Sequence, residues 1–209
     1  MDTISSKGNY DWFEPLYANA DENEAQIPWA LSEPVSYLTQ WLARTDIPAQ
    51  DHSAAVVGCG LGNDAEALAA AGFTVTAFDI SESAIAWAKK RFPNTQVNYV
   101  VADLFNLPKD WIGCFDVVFE FRTLQALPLS LRKDAIAQVA SLPKPGGTLL
   151  MATYTRATDA APESAPWPLS EKEIAWFEQF GLEKRKEERF KKKDSRFSDR
   201  VQIEYRKGE

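Results

Sequence analysis

Three glycines at alternate positions, an acidic strand end and a carboxylate set in an apolar run are the parts of this sequence best equipped for chemistry. Gly58, Gly60 and Gly62 fall in VVGCGLGNDAEALAAAGFTVTAFD, residues 56–79. A loop without Cβ atoms can take unusual dihedrals and let a ligand approach its backbone. Asp79 stands about 20 positions beyond the first glycine, where a carboxylate can hold a pair of ribose hydroxyls. The spacing is GxGxG, and Asn63 occupies the place of the third glycine that lets a helix N-terminus approach a pyrophosphate. A nucleotide without phosphates fits such a loop better, which points to S-adenosyl-L-methionine. Asp103 follows another apolar stretch, Val97 to Val101, and could accept a hydrogen bond from an adenine amino group. Glu120 interrupts the apolar run FDVVFEF, where a carboxylate is costly without a partner.

The elements around these residues follow from periodicity. Ala54 to Val57, Phe73 to Phe78, Val97 to Val101, Phe115 to Phe121 and Thr148 to Tyr154 read as buried strands. Between them, Ala65 to Ala71 forms a helix that stops at Gly72, with Asn63 and Glu66 spaced as a capping box. Ser81 caps a helix over Glu82 to Arg91, and Leu129 to Leu142 has helical spacing before the turn PKPGG at 143–147. Ser170 with Glu173 suits the start of a helix over Leu169 to Phe180, and Leu182 to Arg206 reads as two antiparallel strands. Alternating strands and helices make the fold class α/β. A helix with Val35, Leu38, Trp41 and Leu42 on one face starts near Pro34. Ahead of it, the aromatics Tyr10, Trp12, Phe13 and Tyr17 belong either to a helix covering the sheet or to a lid over a ligand. His52, the only histidine, lies on the N-terminal side of the first strand and reads as a surface residue.

Composition bounds the function. A chain of 209 residues suits one domain, 1–209, with a lid or helical segment over 1–50 and a Rossmann-like core over 51–209. Hydrophobic and charged fractions of 45% and 25% are those of a globular protein, and a net charge of −7 argues against a general nucleic-acid binder. With no apolar run of membrane-spanning length and no signal-peptide pattern, the expectation is a cytoplasmic protein with no membrane or nucleic-acid partner. Two cysteines, Cys59 and Cys114, exclude a cysteine-rich metal site, and no metal is expected. The basic run Lys184 to Lys193 also contains glutamates and reads as a solvated hairpin face.

Several stretches resemble the class I S-adenosylmethionine-dependent methyltransferases, and among them the thiopurine, halide and thiol methyltransferase group. They are VVGCGLGNDAEALA, FDISESAIAWA, FDVVFEFRTLQALPLSLR, LPKPGGTLLMATY, SAPWPLSEKEI and IPWALSEP. The resemblance implies a three-layer Rossmann-like sandwich around a seven-stranded, mostly parallel sheet of order 3-2-1-4-5-7-6, the last strand antiparallel. It implies that Gly58, Cys59 and Gly60 line the methionine part of the cofactor, with Asp64 as the recurring acid nearby. Asp79 and Ile80 would hold the ribose, and Asp103 with Leu104 the adenine. Glu120 and Phe121 would stand near the sulfonium, and Trp29 with Trp12 would close the site. Two departures are visible: Trp12 and Trp29 are far apart for the group, and the position after the strand acid is Phe121, with Arg122 one residue later.

The expected activity is methyl transfer from S-adenosyl-L-methionine, released as S-adenosyl-L-homocysteine, to a small thiol, halide or aromatic nucleophile. Such in-line transfer needs positioning and water exclusion more than a strong base. Glu120 and Tyr154 are the candidates to assist a proton, and Trp29, Arg122, Tyr154 and Trp167 the candidate acceptor pocket. A protein or RNA acceptor, or a cofactor-binding module without turnover, are the alternatives, and a monomer or a homodimer is expected.

Overall fold

The computed structural model describes residues 10–160, 162–191 and 199–209. The first nine residues of the N-terminal segment, Ala161 and residues 192–198, which include the end of the basic run, lie outside the described residues. Among the described residues eight strands form in chain order: β1 (Ser53–Val57), β2 (Thr74–Asp79), β3 (Asn98–Val101), β4 (Phe115–Phe121), β5 (Pro143–Arg156), β6 (Leu169–Ser170), β7 (Leu182–Lys191) and β8 (Asp199–Lys207). The helices are α1 (Phe13–Asn19), α2 (Ser36–Leu42), α3 (Asn63–Ala70), α4 (Glu82–Arg91), α5 (Arg132–Ser141) and α6 (Glu171–Gln179). The sheet runs β3-β2-β1-β4-β5-β8-β7, with the two-residue β6 paired to β5 off this path. β8 runs antiparallel to both of its neighbours, β5 and β7, and the other described pairings are parallel. Leaving β6 aside, this is the expected order.

Alternation along the central strands divides the core in two. Ala55, Val57, Val118 and Met151 pack with Ile136 of α5 and Phe177 of α6. Ala54, Val56, Val117, Phe119 and Leu150 pack with Leu38 and Trp41 of α2, Leu68 of α3 and Ile85 of α4. Helices on both faces require apolar residues at every central-strand position, which is why these strands are continuous apolar runs. Parallel register brings the strand ends to one edge: Val57 pairs with Phe78 and Glu120, and Asp79 with Val101. The chain leaves β1 towards β2 and β3 and returns to β4 on the other side, so a crevice opens beyond β1 at the switch point. Among the described residues no helix is long and apolar enough to cross a membrane.

Local signals hold in some elements and yield to tertiary partners in others. Ser81 caps α4 by accepting from Ala84 N at 3.0 Å. Ser170 and Glu173 form the full capping box of α6. Ser170→Ala should therefore destabilise by about 1 kcal/mol, lowering the thermal midpoint by roughly 2–4 °C in a melt. The box expected at α3 does not form. Gly62, at φ 88°, is the N-cap with no side-chain cap. The Asn63 amide instead donates to Leu31 O and accepts from Arg91, while Glu66 accepts from Thr95 and from Tyr99 at 2.8 Å. α2 starts at Ser36, later than Pro34 suggests. The PKPGG stretch is absorbed into β5, its extra residues taken up by a register shift opposite Phe115 and Val117. The helix expected from Leu129 opens with a 3-10 turn, Leu129–Leu131, before α5.

Candidate active site

The crevice at the switch point is a cavity whose floor is the glycine loop after β1. Gly60, at φ +50°, points its N–H back to Asp79 Oδ2 at 2.9 Å. Ser81 N donates to the other oxygen, Oδ1, at 3.1 Å. Asp79 is only 7% exposed, and burial pushes its carboxyl above the usual range against those backbone donors. Each of its oxygens accepts one backbone hydrogen bond and keeps a lone pair for a ligand hydroxyl.

One wall comes from the end of β3. Asp103 starts the 3-10 turn Leu104–Asn106 by accepting from Phe105 N at 2.9 Å. Both of its oxygens also receive the Tyr10 hydroxyl, at 3.2 and 3.1 Å. The roof is aromatic. Phe13 and Tyr17 of α1 and Trp29 line the cavity, with Trp29 Nε1 donating to Tyr17 Oη at 2.8 Å. A Cβ on Gly60 would stand 2.9 Å from that hydroxyl, so the glycine is what lets α1 close down here. Glu14 pins α1 to the start of α4, accepting from Ser81 Oγ and Ser83 Oγ, both at 2.6 Å.

The far end carries the charges. Asp64, in the first turn of α3, accepts Val35 N at 2.8 Å, and burial pushes its carboxyl up to about 6. Arg122 directly follows β4 with φ +66°. Its guanidinium lies over Phe121 at 4.6 Å and over Tyr154 at 5.1 Å, and Nη2 donates to Tyr154 Oη at 3.1 Å. Burial pulls its pKa down, and Tyr154 and Asp64 work against that pull.

Most of the residues expected from the sequence meet here: Trp29, Gly58, Cys59, Gly60, Asp64, Asp79, Ile80, Asp103, Leu104, Phe121 and Arg122 all line the cavity. Four expected residues stand outside its lining. Trp12 stacks on Phe13 at 4.0 Å and meets Trp29 edge-on at 5.6 Å, backing the roof. Tyr154 reaches the cavity through Arg122. Trp167 packs behind the turn after β4, its backbone N–H donating to Gln125 O at 2.6 Å. Glu120, the expected proton-handling carboxylate, is fully buried and accepts the N–H of Leu124 at 3.0 Å. Strand alternation sets it on the same face as Val118, one residue out of step with the cavity-lining Phe119 and Phe121. Thr123, Glu33 and Phe119 line the cavity without having been expected. Phe119 was findable from its two-residue offset to Phe121, whereas nothing local marks Thr123 or Glu33.

The cavity offers paired acceptor sites on Asp79, a loop that bare backbone can approach, and an aromatic cover. The model of the thiopurine S-methyltransferase (TPMT) family matches residues 20–204. The ubiquinone biosynthesis O-methyltransferase of Xanthomonas campestris pv. campestris (strain B100) is 37% identical over 102 residues, 48% of this chain and 42% of that protein. The match thus spans less than half of that relative's length. Among solved structures, the N-methyltransferase NodS of Bradyrhizobium japonicum WM9 with S-adenosyl-L-homocysteine aligns with a TM-score of 0.72 at 22% identity, covering 96% of this chain and 98% of that one. SpnF, described as a [4+2]-cyclase, aligns at 0.68 and 17% identity over 82% and 80% of the two chains. These structural likenesses are of fold alone, and one fold hosts more than one chemistry. Since the family match begins directly after α1, takes in the glycine loop and Asp79, and runs into β8, the chain belongs to the thiopurine S-methyltransferase family.

Proposed function

We propose that the protein transfers the methyl group of S-adenosyl-L-methionine to a small acceptor that attacks as an anion or loses a proton easily: a thiol, a halide or an acidic aromatic or heterocyclic group. The observation that carries this reading is Arg122, a half-buried cation in the wall of a cavity whose lining includes no histidine. The cofactor supplies a methyl carbon already activated by its sulfonium. Asp79 would hold the ribose hydroxyls, Asp103 and Leu104 the adenine, and Asp64 the ammonium of the methionine part. The roof of Phe13, Tyr17 and Trp29 excludes water and offers aromatic faces to a cation.

Arg122 favours the ionised acceptor, but the nucleophile's negative charge fades as the new bond forms. The guanidinium therefore stabilises the bound ground state more than the transition state, and it lowers KM rather than raising kcat. Incubation with cofactor and a panel of an aromatic thiol, iodide, an acidic phenol and a primary amine, read by mass spectrometry, tests the class. Methylation of the thiol, iodide or phenol is expected; product from the amine alone, or S-adenosyl-L-homocysteine binding with no product from any, overturns it. With the thiol above its pKa, Arg122→Gln should raise KM about tenfold, as loss of one charge-assisted hydrogen bond predicts, and leave kcat within about a factor of three.

A further inference from the structure

The turn after β4 brings Arg122, Thr123, Ala126 and Leu127 to the cavity, and charged groups that never reach the cavity hold it from behind. Glu120 stands in register between Val57 of β1 and Met151 of β5, fully buried. Its Oε1 accepts Leu124 N at 3.0 Å, and the Thr123 N–H also supports the charged form. Arg132, the first residue of α5, is equally buried and supplies the opposing charge. Its Nη2 donates to Leu127 O and to Trp167 O, both at 3.0 Å, closing the far end of the same turn. Beyond Arg132 stands Glu173 of α6, 3.8 Å from Nη1, itself bound by Arg156 of β5 at 2.6 Å. On the opposite side, Thr123 Oγ1 donates to Val57 O at 3.0 Å and packs directly on Gly58. The turn is clamped between the glycine loop on one side and Glu120 and Arg132, each bonded to its backbone, on the other, and Arg122 is held within it in a left-handed conformation.

A carboxylate this deep in a central strand is costly unless its charge is used. We infer that Glu120 is a positioning residue: its ionised carboxylate, opposed by Arg132, fixes the 122–127 turn and so sets where Arg122 and Thr123 stand beside the glycine loop. Burial pushes the Glu120 carboxyl up to about 7, against the Leu124 and Thr123 N–H groups and Arg132. As the pH falls through 7, the carboxylate gains a proton and holds those N–H groups less strongly. Arg132 then keeps only Glu173 as a nearby counter-charge, which Arg156 shares. Protonation relieves the burial cost that the ionised group imposes on the whole fold, but local opening of the turn leaves Glu120 buried in β4 and breaks only these N–H bonds, so the turn should loosen on the acid side while the helices behind it stay packed.

What Arg122 does in the cavity rests on the function proposed above; the clamping of the turn does not, so its test uses no acceptor. Hydrogen–deuterium exchange of the whole protein, corrected for intrinsic rates, is followed at pH 8 and pH 6 in a peptide covering residues 121–128. Calorimetric titration with S-adenosyl-L-homocysteine runs alongside. In the native chain, protection of this peptide should fall at least fivefold from pH 8 to pH 6. Glu120→Gln, which keeps the shape and removes the charge, should show the lower protection at both values, with native exchange in α5 and α6. Its affinity for S-adenosyl-L-homocysteine should lose the pH dependence of the native chain between 6 and 8. If Glu120→Gln does not fold, Arg132→Met serves instead: without the cation, the loss of protection should move to higher pH. Equal protection of the native peptide at both pH values overturns the inference. So does a Glu120→Gln variant whose exchange rises uniformly through α5 and α6, since Glu120 would then support the fold and not the turn.

Discussion

Asp79→Ala is expected to weaken binding of S-adenosyl-L-homocysteine by a hundredfold or more in a calorimetric titration. Both carboxylate oxygens are already oriented, one by Gly60 N at 2.9 Å and one by Ser81 N at 3.1 Å. A pair of ribose hydroxyls meets acceptors that need no rearrangement, and two charge-assisted bonds at about 1.5–3 kcal/mol each correspond to roughly two to four orders of magnitude. The substitution also leaves Gly60 N without its acceptor, so part of the loss comes from the loop itself. Stability should move the other way, or hardly at all. Burial raises the Asp79 carboxyl above its ordinary 3.8 in the folded chain, so the folded state binds this proton more tightly than the unfolded one. Above that raised value its ionisation is a net cost to the unliganded fold, and the cost is removed as the pH falls back towards 3.8. Asp79→Ala at neutral pH should thus melt within a few degrees of the native chain. An unchanged affinity in a variant that melts normally would remove Asp79 from the ribose site.

That Asp79 was visible in the sequence while the surroundings of Glu120 were not has a physical cause. Asp79 is announced by local order: an apolar strand, a glycine loop and the acid at the next strand end fix its place at the sheet edge whatever packs elsewhere. β4 was equally legible, and its observed limits are Phe115 and Phe121, as periodicity implies. Which way its side chains point was not. In a central parallel strand both faces are buried, so alternation leaves no polar–apolar contrast to read. Val118 and Glu120 face α5 while Phe119 and Phe121 face the cavity side, and only the packed structure decides this. The cap of α3 failed for a related reason. Asn63 and Glu66 have the right local spacing, but Arg91 of α4 and Tyr99 of β3 offer them partners across the fold. The roof was half legible: aromatics at 10, 12, 13 and 17 mark a packed segment, yet it is Tyr17, not Trp12, that joins Trp29 over Gly60.

Gly58→Ala should be strongly destabilising, lowering the thermal midpoint by about 5–15 °C. Gly58 has φ +58°, which costs alanine about 1–2 kcal/mol. A Cβ there would also overlap Thr123 Oγ1 and lie 2.8 Å from its Cγ2. Thr123 cannot turn aside freely, because that hydroxyl is bound to Val57 O at 3.0 Å. Overpacking of this kind adds about 1–3 kcal/mol, and for a chain of this size each kcal/mol is worth roughly 2–4 °C. Gly113→Ala isolates the conformational part. Its φ is +67°, but a Cβ would meet nothing within 4 Å, so a loss of only about 2–6 °C is expected. The double variant Gly58→Ala/Thr123→Ala should melt above Gly58→Ala, since the smaller side chain removes the clash and leaves the strain. If Gly58→Ala melts no lower than Gly113→Ala, the turn after β4 is not seated on the glycine loop. If it melts lower and Thr123→Ala restores part of the loss, the cofactor loop and the turn bearing Arg122 form one packed unit, so that neither can shift without moving the other.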